Sequence, residues 1–254
     1  MNKLTISALS SGVLFMLYAV GCGSAPPAES PPAQAQTQAD TVPSATPPAQ
    51  PRAVNAGSCP SEGLVDDFED GNNRAQMNDG RGGYWYTYND ASSTVAPQGT
   101  FTASEGGYNA SAFSGRMSGT VGSQQYPYVG MGVSMTDPKQ AYDVSCCEGV
   151  SFWGKKTGDG ISNVRLKVGD WQTDPAGGSC KECYNDFGAD FSFTDEWQEF
   201  SIKFSEMKQE PYWGEPKVSI DTAAIYQLQW QVKENNRPFD IQIDNVRLTG
   251  CGGA

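Results

Sequence analysis

The chain has 254 residues, with 17 Lys and Arg against 29 Asp and Glu, a net charge of −12. That acidic balance excludes nucleic acid and anionic lipid surfaces as electrostatic partners. It contains no histidine, which removes Ser-His-Asp and Cys-His nucleophilic catalysis and every His-ligated zinc site.

Lys3 opens the chain, and residues 4–20 form an apolar stretch broken by Ser7, Ser10, Ser11 and Gly12. It is short for a membrane span and reads as a cleaved leader, residues 1–21. The run Ala19-Val20-Gly21-Cys22 resembles a bacterial lipoprotein lipobox. The resemblance implies cleavage before Cys22 and lipid on its thiol and new amino group. Several acyl chains anchor stably where one does not. The expected location is therefore outside the cytoplasm, on the cell envelope. Gly23 stands where Asp would imply inner-membrane retention, so the outer membrane or cell surface is expected.

Residues 22–56 form the lipidated cysteine and a linker. Positions 23–56 hold eight prolines and nine alanines, with no Leu, Ile or aromatic residue. Such a stretch builds no core and serves as a spacer reaching on the order of 30–100 Å.

Residues 57–254 carry all six tryptophans and form one domain. Short alternating segments recur between Gly, Pro, Asn and Asp clusters, and predict strands at 64–69, 83–88, 111–118, 127–135, 149–155, 162–169, 188–193, 197–204, 225–232 and 239–248. Val164, Leu166 and Val168 alternate with Arg165 and Lys167, and Phe200, Ile202 and Phe204 alternate with polar residues. No segment supports a helix longer than a turn. The fold class is all-β, a two-sheet antiparallel sandwich. In the last strand Phe239, Ile241 and Ile243 share a face, whereas Val246 and Leu248 are out of phase, so a β-bulge is expected near Asp244 and Asn245.

Six cysteines follow Cys22, an even number that reads as disulfides in an exported chain. The Cys180-Lys-Glu-Cys183 spacing also occurs in zinc and redox sites. Zinc would need the adjacent Cys146 and Cys147 as its other ligands, a poor chelating pair, and a redox role lacks its βαβ setting. A Cys180–Cys183 bridge is expected, with the partners of Cys146 and Cys147 open.

Three groups of residues could carry function. The first is acidic: the carboxylates of the early LVDDFEDG run and of the last strand are hard oxygen donors of the kind Ca²⁺ takes, the alternative being solvated edge charges with no metal. The second is aromatic. Sugars lay their C–H faces on Trp and Tyr rings and need polar groups at the rim. The run at 84–90 sets three tyrosines on one strand face and Trp85 on the other. Trp171 follows Asp170 at a strand end, Trp213 sits in a Pro- and Gly-flanked loop, and Trp230 alternates with Gln229 and Gln231. The expected platform is Trp85, Tyr88, Trp171 and Trp213, with Asn89 and Asp170 at the rim. Trp153 and Trp197, in apolar strands, are expected in the core. The third is a pair of carboxylates for glycoside hydrolysis. Asp195, Glu196 and Glu199 read instead as a solvated face, and no catalytic residue is assigned.

The DDFEDG opening, the GVSFWGK and EWQEFSIKF strands and the FDIQIDNVRL close resemble a galactose-binding-like jelly roll of the family 11 carbohydrate-binding modules, with families 4 and 22 more distant. The resemblance spans about residues 62–250. It implies a structural calcium held by Glu69, Asp244 and Asp67. It also implies that the first and last strands are neighbours, and hence a Cys59–Cys251 disulfide. The function expected is a non-catalytic, surface-anchored lipoprotein binding a polysaccharide. The alternatives are a structural envelope protein contacting another protein, and a carboxylate-based polysaccharide hydrolase.

Overall fold

The computed structural model describes residues 49–252. The expected leader, the expected lipidation site Cys22 and most of the expected linker lie outside the described residues. Two antiparallel sheets form the domain. One has five strands in the order β2 (Trp85–Asn89), β6 (Val129–Ser134), β11 (Ile225–Val232), β8 (Asn163–Asp170) and β9 (Phe187–Ser192). The other runs β10 (Gln198–Lys203), β7 (Gly149–Lys156), β12 (Pro238–Thr249), β5 (Phe113–Thr120) and β3 (Thr94–Ala96). To it β12 adds β1 (Leu64–Asp66), and β5 adds β4 (Ser104–Glu105). The short edge strands β3 and β4 carry too few alternating residues to be seen from sequence.

The core follows from strand parity, since alternate side chains point to opposite faces. Val164, Leu166 and Val168 of β8, Leu228, Trp230 and Val232 of β11, and Met131 and Val133 of β6 meet Val150, Phe152, Ile241 and Ile243 of the other sheet, all fully buried. The pairing of β12 with β7 shifts register between Asp244 and Arg247, and Asn245 takes a φ of 48°. That bulge keeps Ile243 and Val246 both in the core. Ala53, on the linker side of position 57, is buried with Ala141, Ala224 and Tyr226, so the described fold includes part of the segment read as linker.

The disulfides correct one expectation. Cys59 bonds Cys146 and Cys251 bonds Cys147, while Cys180 bonds Cys183. β1 and β12 are indeed neighbours. The adjacent pair Cys146-Cys147, in the turn leading into β7, lies between the two ends and takes one thiol from each. Cys59 and Cys251 are therefore joined through that turn rather than directly.

Candidate binding face

The face of the five-stranded sheet turned away from the core is polar. Its cross-strand rows run Tyr86, Gly132, Gln229, Lys167, Gly188, and then Tyr88, Gly130, Gln231, Arg165, Asp190. Gln227 follows along β11, opposite Ser134 and Gly169. The glycines of β6 let the tyrosines cross that strand. A Cβ on Gly130 would stand 2.4 Å from Tyr88 Cζ, and one on Gly132 would stand 2.8 Å from Tyr86 Oη. No side chain heavier than hydrogen fits there without moving the ring.

The hydroxyls then reach β11. Tyr86 Oη donates to Gln227 Oε1 at 2.5 Å and accepts from Gln229 Nε2 at 3.0 Å. Tyr88 Oη lies 3.4 Å from Gln229 Oε1 and 3.3 Å from Gln231 Oε1, and Lys167 Nζ donates to Gln231 Oε1 at 3.3 Å. Burial pushes both phenols above their ordinary range. The ring row continues to the half-exposed Tyr128, whose centroid is 6.3 Å from that of Tyr88, against 6.1 Å between Tyr86 and Tyr88.

Charges on this side are matched. Lys139 pairs Asp174 at 2.6 Å, Lys167 pairs Asp186 at 3.4 Å, Arg165 pairs Asp190 at 3.0 Å, and Lys233 pairs Glu210. Burial lowers the Lys167 ammonium, opposed by the Asp186 charge. Asp186 is fully buried, and neither of its oxygens accepts a hydrogen bond from a described residue. A buried acceptor left so is costly unless a ligand or water completes it.

Of the expected platform, only Tyr88 lies on this face. Trp85 is 2% exposed, because its parity points it into the core, where its indole N–H donates to Asp66 at 2.5 Å. Trp171 packs on Ala53, Ala141, Ala224 and Tyr226 and bonds Asp221. Asp170 is fully buried and pushed up by burial. Its oxygens accept from Gln172, Thr173 and the Asp221 amide, so it builds the loop rather than a rim. Asn89 is likewise spent on a turn, donating to the carbonyls of Asp90 and Ser93. Trp213 is 45% exposed, but it lines a separate groove of about 970 Å³ with Phe187, Phe204 and Met207. Trp153 and Trp197 are not core residues. In β7, Val150 and Phe152 take the inward parity, which turns Trp153 out, and both tryptophans are only half-buried. The residues missed were Tyr86, Gln227, Gln229, Gln231, Arg165, Lys167 and Asp186. For Arg165, Lys167 and the glutamines the signal was the polar half of the alternation in β8 and β11; for Tyr86 it was the tyrosine face of β2.

The expected calcium ligands sit at one end of the sandwich. Glu69 accepts from Ser111 Oγ and from the amides of Ala112 and Phe113, bonds that hold it below the usual carboxylate range, that to Ser111 foremost. Asp244 is fully buried and accepts from the Tyr108 and Asn245 amides. Burial pushes it up to about 6, and the charge of nearby Glu69 adds to this. Asp67 accepts from the Glu69 amide and Gln76. The donors are hard oxygens that suit Ca²⁺. Among the described residues, however, no three His, Cys, Asp or Glu side chains converge as a metal site, so backbone oxygens and water would have to complete the usual six to eight ligands.

No protein-family model matches the chain. Among solved structures, it is similar to the family 11 carbohydrate-binding module of a cellulosomal cellulase of Clostridium thermocellum (TM-score 0.54, 18% identity, 76% of this chain and 96% of that one). A family 11 module from the same organism, in complex with a β-1,3-1,4-mixed-linked tetrasaccharide, matches with the same score and identity over 78% of this chain and 100% of that one. The fold is therefore the jelly roll of carbohydrate-binding modules. The chain is also 28% identical over 218 residues to Endoglucanase 3 of Fibrobacter succinogenes, covering 77% of this chain; it spans only 30% of that protein's length.

Proposed function

We propose that this protein is a non-catalytic polysaccharide-binding lipoprotein that lays a neutral glycan along the outer face of its five-stranded sheet. The observation that carries this is the ladder of Tyr86 and Tyr88 crossing Gly132 and Gly130 onto Gln227, Gln229 and Gln231. The tyrosine rings match the C–H faces of a sugar chain, and the buried glutamine amides bonded to their hydroxyls hold those rings in place. The matched charges suit a neutral ligand, and they leave each acid there neutralised rather than free for general acid–base work. The fold shared with a module solved with a tetrasaccharide supports the reading, as does the likeness to an endoglucanase. In affinity gels containing soluble mixed-linkage glucan, cellulose derivative, xylan or laminarin, the wild type should be retarded by at least one polysaccharide. Tyr86→Ala together with Tyr88→Ala should weaken that retention about tenfold or more, since each stacked ring is worth about 0.5–1.5 kcal/mol. Retention unaltered by that double change would refute this site. No retention by any polysaccharide would favour a structural role in the envelope.

Two further elements belong to the same proposal. Lipid on Cys22 would anchor the protein, so Cys22→Ser should move it from the membrane to the soluble fraction. Calcium at Glu69 and Asp244, with Asp67 beside them, would tie the first loop to the last strand and stiffen the sandwich. Adding millimolar Ca²⁺ to EDTA-treated protein should raise Tm by several degrees, because a ligand bound only by the folded state stabilises it. Glu69→Gln or Asp244→Asn should remove the rise. A Tm indifferent to Ca²⁺ in the wild type would show these acids to be loop anchors alone.

A further inference from the structure

The opposite side of the sandwich carries a second aromatic surface. Trp153 projects outward from β7 between Ser151 and Lys155, opposite Glu199 on β10 and Asp244 on β12. Tyr108 stacks on it with centroids 3.4 Å apart and planes 11° apart, and Trp197 meets Tyr108 edge-on at 6.4 Å. Lys155 Nζ stands 5.0 Å from the Trp197 ring. All three rings are half-buried, which leaves part of each open to solvent.

The loop that presents Tyr108 is held in an unfavourable shape. Asn109 and Ala110 both take positive φ, 52° and 67°, which side chains other than glycine rarely adopt. The amide of Tyr108 is pinned by Asp244 at 2.8 Å, and the following residues are pinned by Glu69. Tyr108 is thus fixed over Trp153 instead of folding into the core.

Beside the rings lies a hollow of about 490 Å³, within the range of small-ligand sites. Tyr108, Trp153, Ser151, Glu199, Asn245 and Arg247 line it. The side chains of Ser151, Glu199, Asn245 and Arg247 make no hydrogen bond to any described residue, so their donors and acceptors are unused by the fold. The five-stranded face differs, because there the amides are already bonded to the tyrosines. Glu199 offsets the charge of Arg247 at the hollow, which suits a neutral sugar.

We propose that this hollow is a second glycan-binding site, taking a neutral saccharide against Tyr108 and Trp153 with Arg247, Asn245 and Glu199 bonding its hydroxyls. It lies on the other sheet from the tyrosine–glutamine ladder, so one molecule could hold two polysaccharide chains. The test is affinity electrophoresis in soluble mixed-linkage β-glucan, hydroxyethylcellulose, xylan and laminarin at one fixed Ca²⁺ concentration, with light scattering of polymer mixed with protein. The variant Tyr86→Ala, Tyr88→Ala should keep residual retardation. Adding Trp153→Ala or Arg247→Ala should cut that residue a further two- to tenfold. Only protein with both faces intact should cross-link the polymer and raise its scattering. Arg247 is exposed, so Arg247→Ala decides the matter if Trp153→Ala fails to fold. If the wild type binds and neither change at the hollow weakens retention, the second site is refuted and the first stands. If the hollow variants abolish binding and the tyrosine variants do not, this site stands and the first falls. If the wild type is retarded by no polysaccharide, both are refuted.

Discussion

Trp85→Ala should destabilise the domain by about 3–5 kcal/mol, the cost of emptying a buried aromatic site. The ring is packed against Phe68 at 4.8 Å, Phe101 at 5.6 Å and Trp230 at 5.7 Å, at the contact between the loop after β1 and the five-stranded sheet. Its indole N–H also serves Asp66, a buried carboxyl pushed up to about 7 by desolvation. Trp85→Phe keeps most of the ring and removes that donor, so it should cost less, about 1–3 kcal/mol. The donor favours the ionised form of Asp66. An acid whose folded pKa is raised above 3.8 makes the fold progressively less stable as pH climbs toward about 7, and losing the donor deepens that loss. The penalty of Trp85→Phe should therefore be larger at pH 8 than at pH 5, measured by urea unfolding in EDTA. A loss under about 1 kcal/mol for Trp85→Ala would contradict its place in the core.

Removing either long disulfide should be at least as damaging. The bridges Cys59–Cys146 and Cys147–Cys251 close segments of 87 and 104 residues. On the loop-closure model each removes about 4–5 kcal/mol of unfolded-state entropy. For a domain of this size that corresponds to a fall in Tm of roughly 10–15 °C. The variants must remove both members of a pair, Cys59→Ser with Cys146→Ser or Cys147→Ser with Cys251→Ser, so that no orphan thiol finds a new partner. Removing all four should cost about the two losses added, because the bridged segments 59–146 and 147–251 do not overlap and their loop entropies are independent. Replacing Cys180 and Cys183, only three apart, should cost far less. Non-reducing peptide mapping that recovers a Cys59–Cys251 linkage would overturn the pairing.

The sequence by itself determined the architecture. Alternation in segments such as Val164 to Val168 and Phe239 to Ile243 is a local property of extended backbone, so it reveals a strand, its two faces and even the bulge at Asp244 without knowledge of the partner strands. What it could not decide is which face meets the core when both carry large rings. In β2, Trp85 and Tyr88 lie on opposite faces, and only the packing of Phe68, Phe101 and Trp230 settles that Trp85 goes inward. In β7, adjacent Phe152 and Trp153 compete for one inward position, and Phe191 and Trp230 of the opposing sheet, with Phe200 beside it on β10, select Phe152. The binding face was illegible for a related reason. Gln229, Gln231, Lys167 and Arg165 look like solvated residues one strand at a time, and become a floor only when β6, β8 and β11 align and Gly130 and Gly132 let the tyrosines reach across. The short Cys180–Cys183 bridge was legible, but the partners of Cys59 and Cys251 were not: the two do approach each other, yet which thiol each meets depends on where the turn bearing Cys146 and Cys147 lands, a matter of tertiary distance that no spacing along the chain encodes.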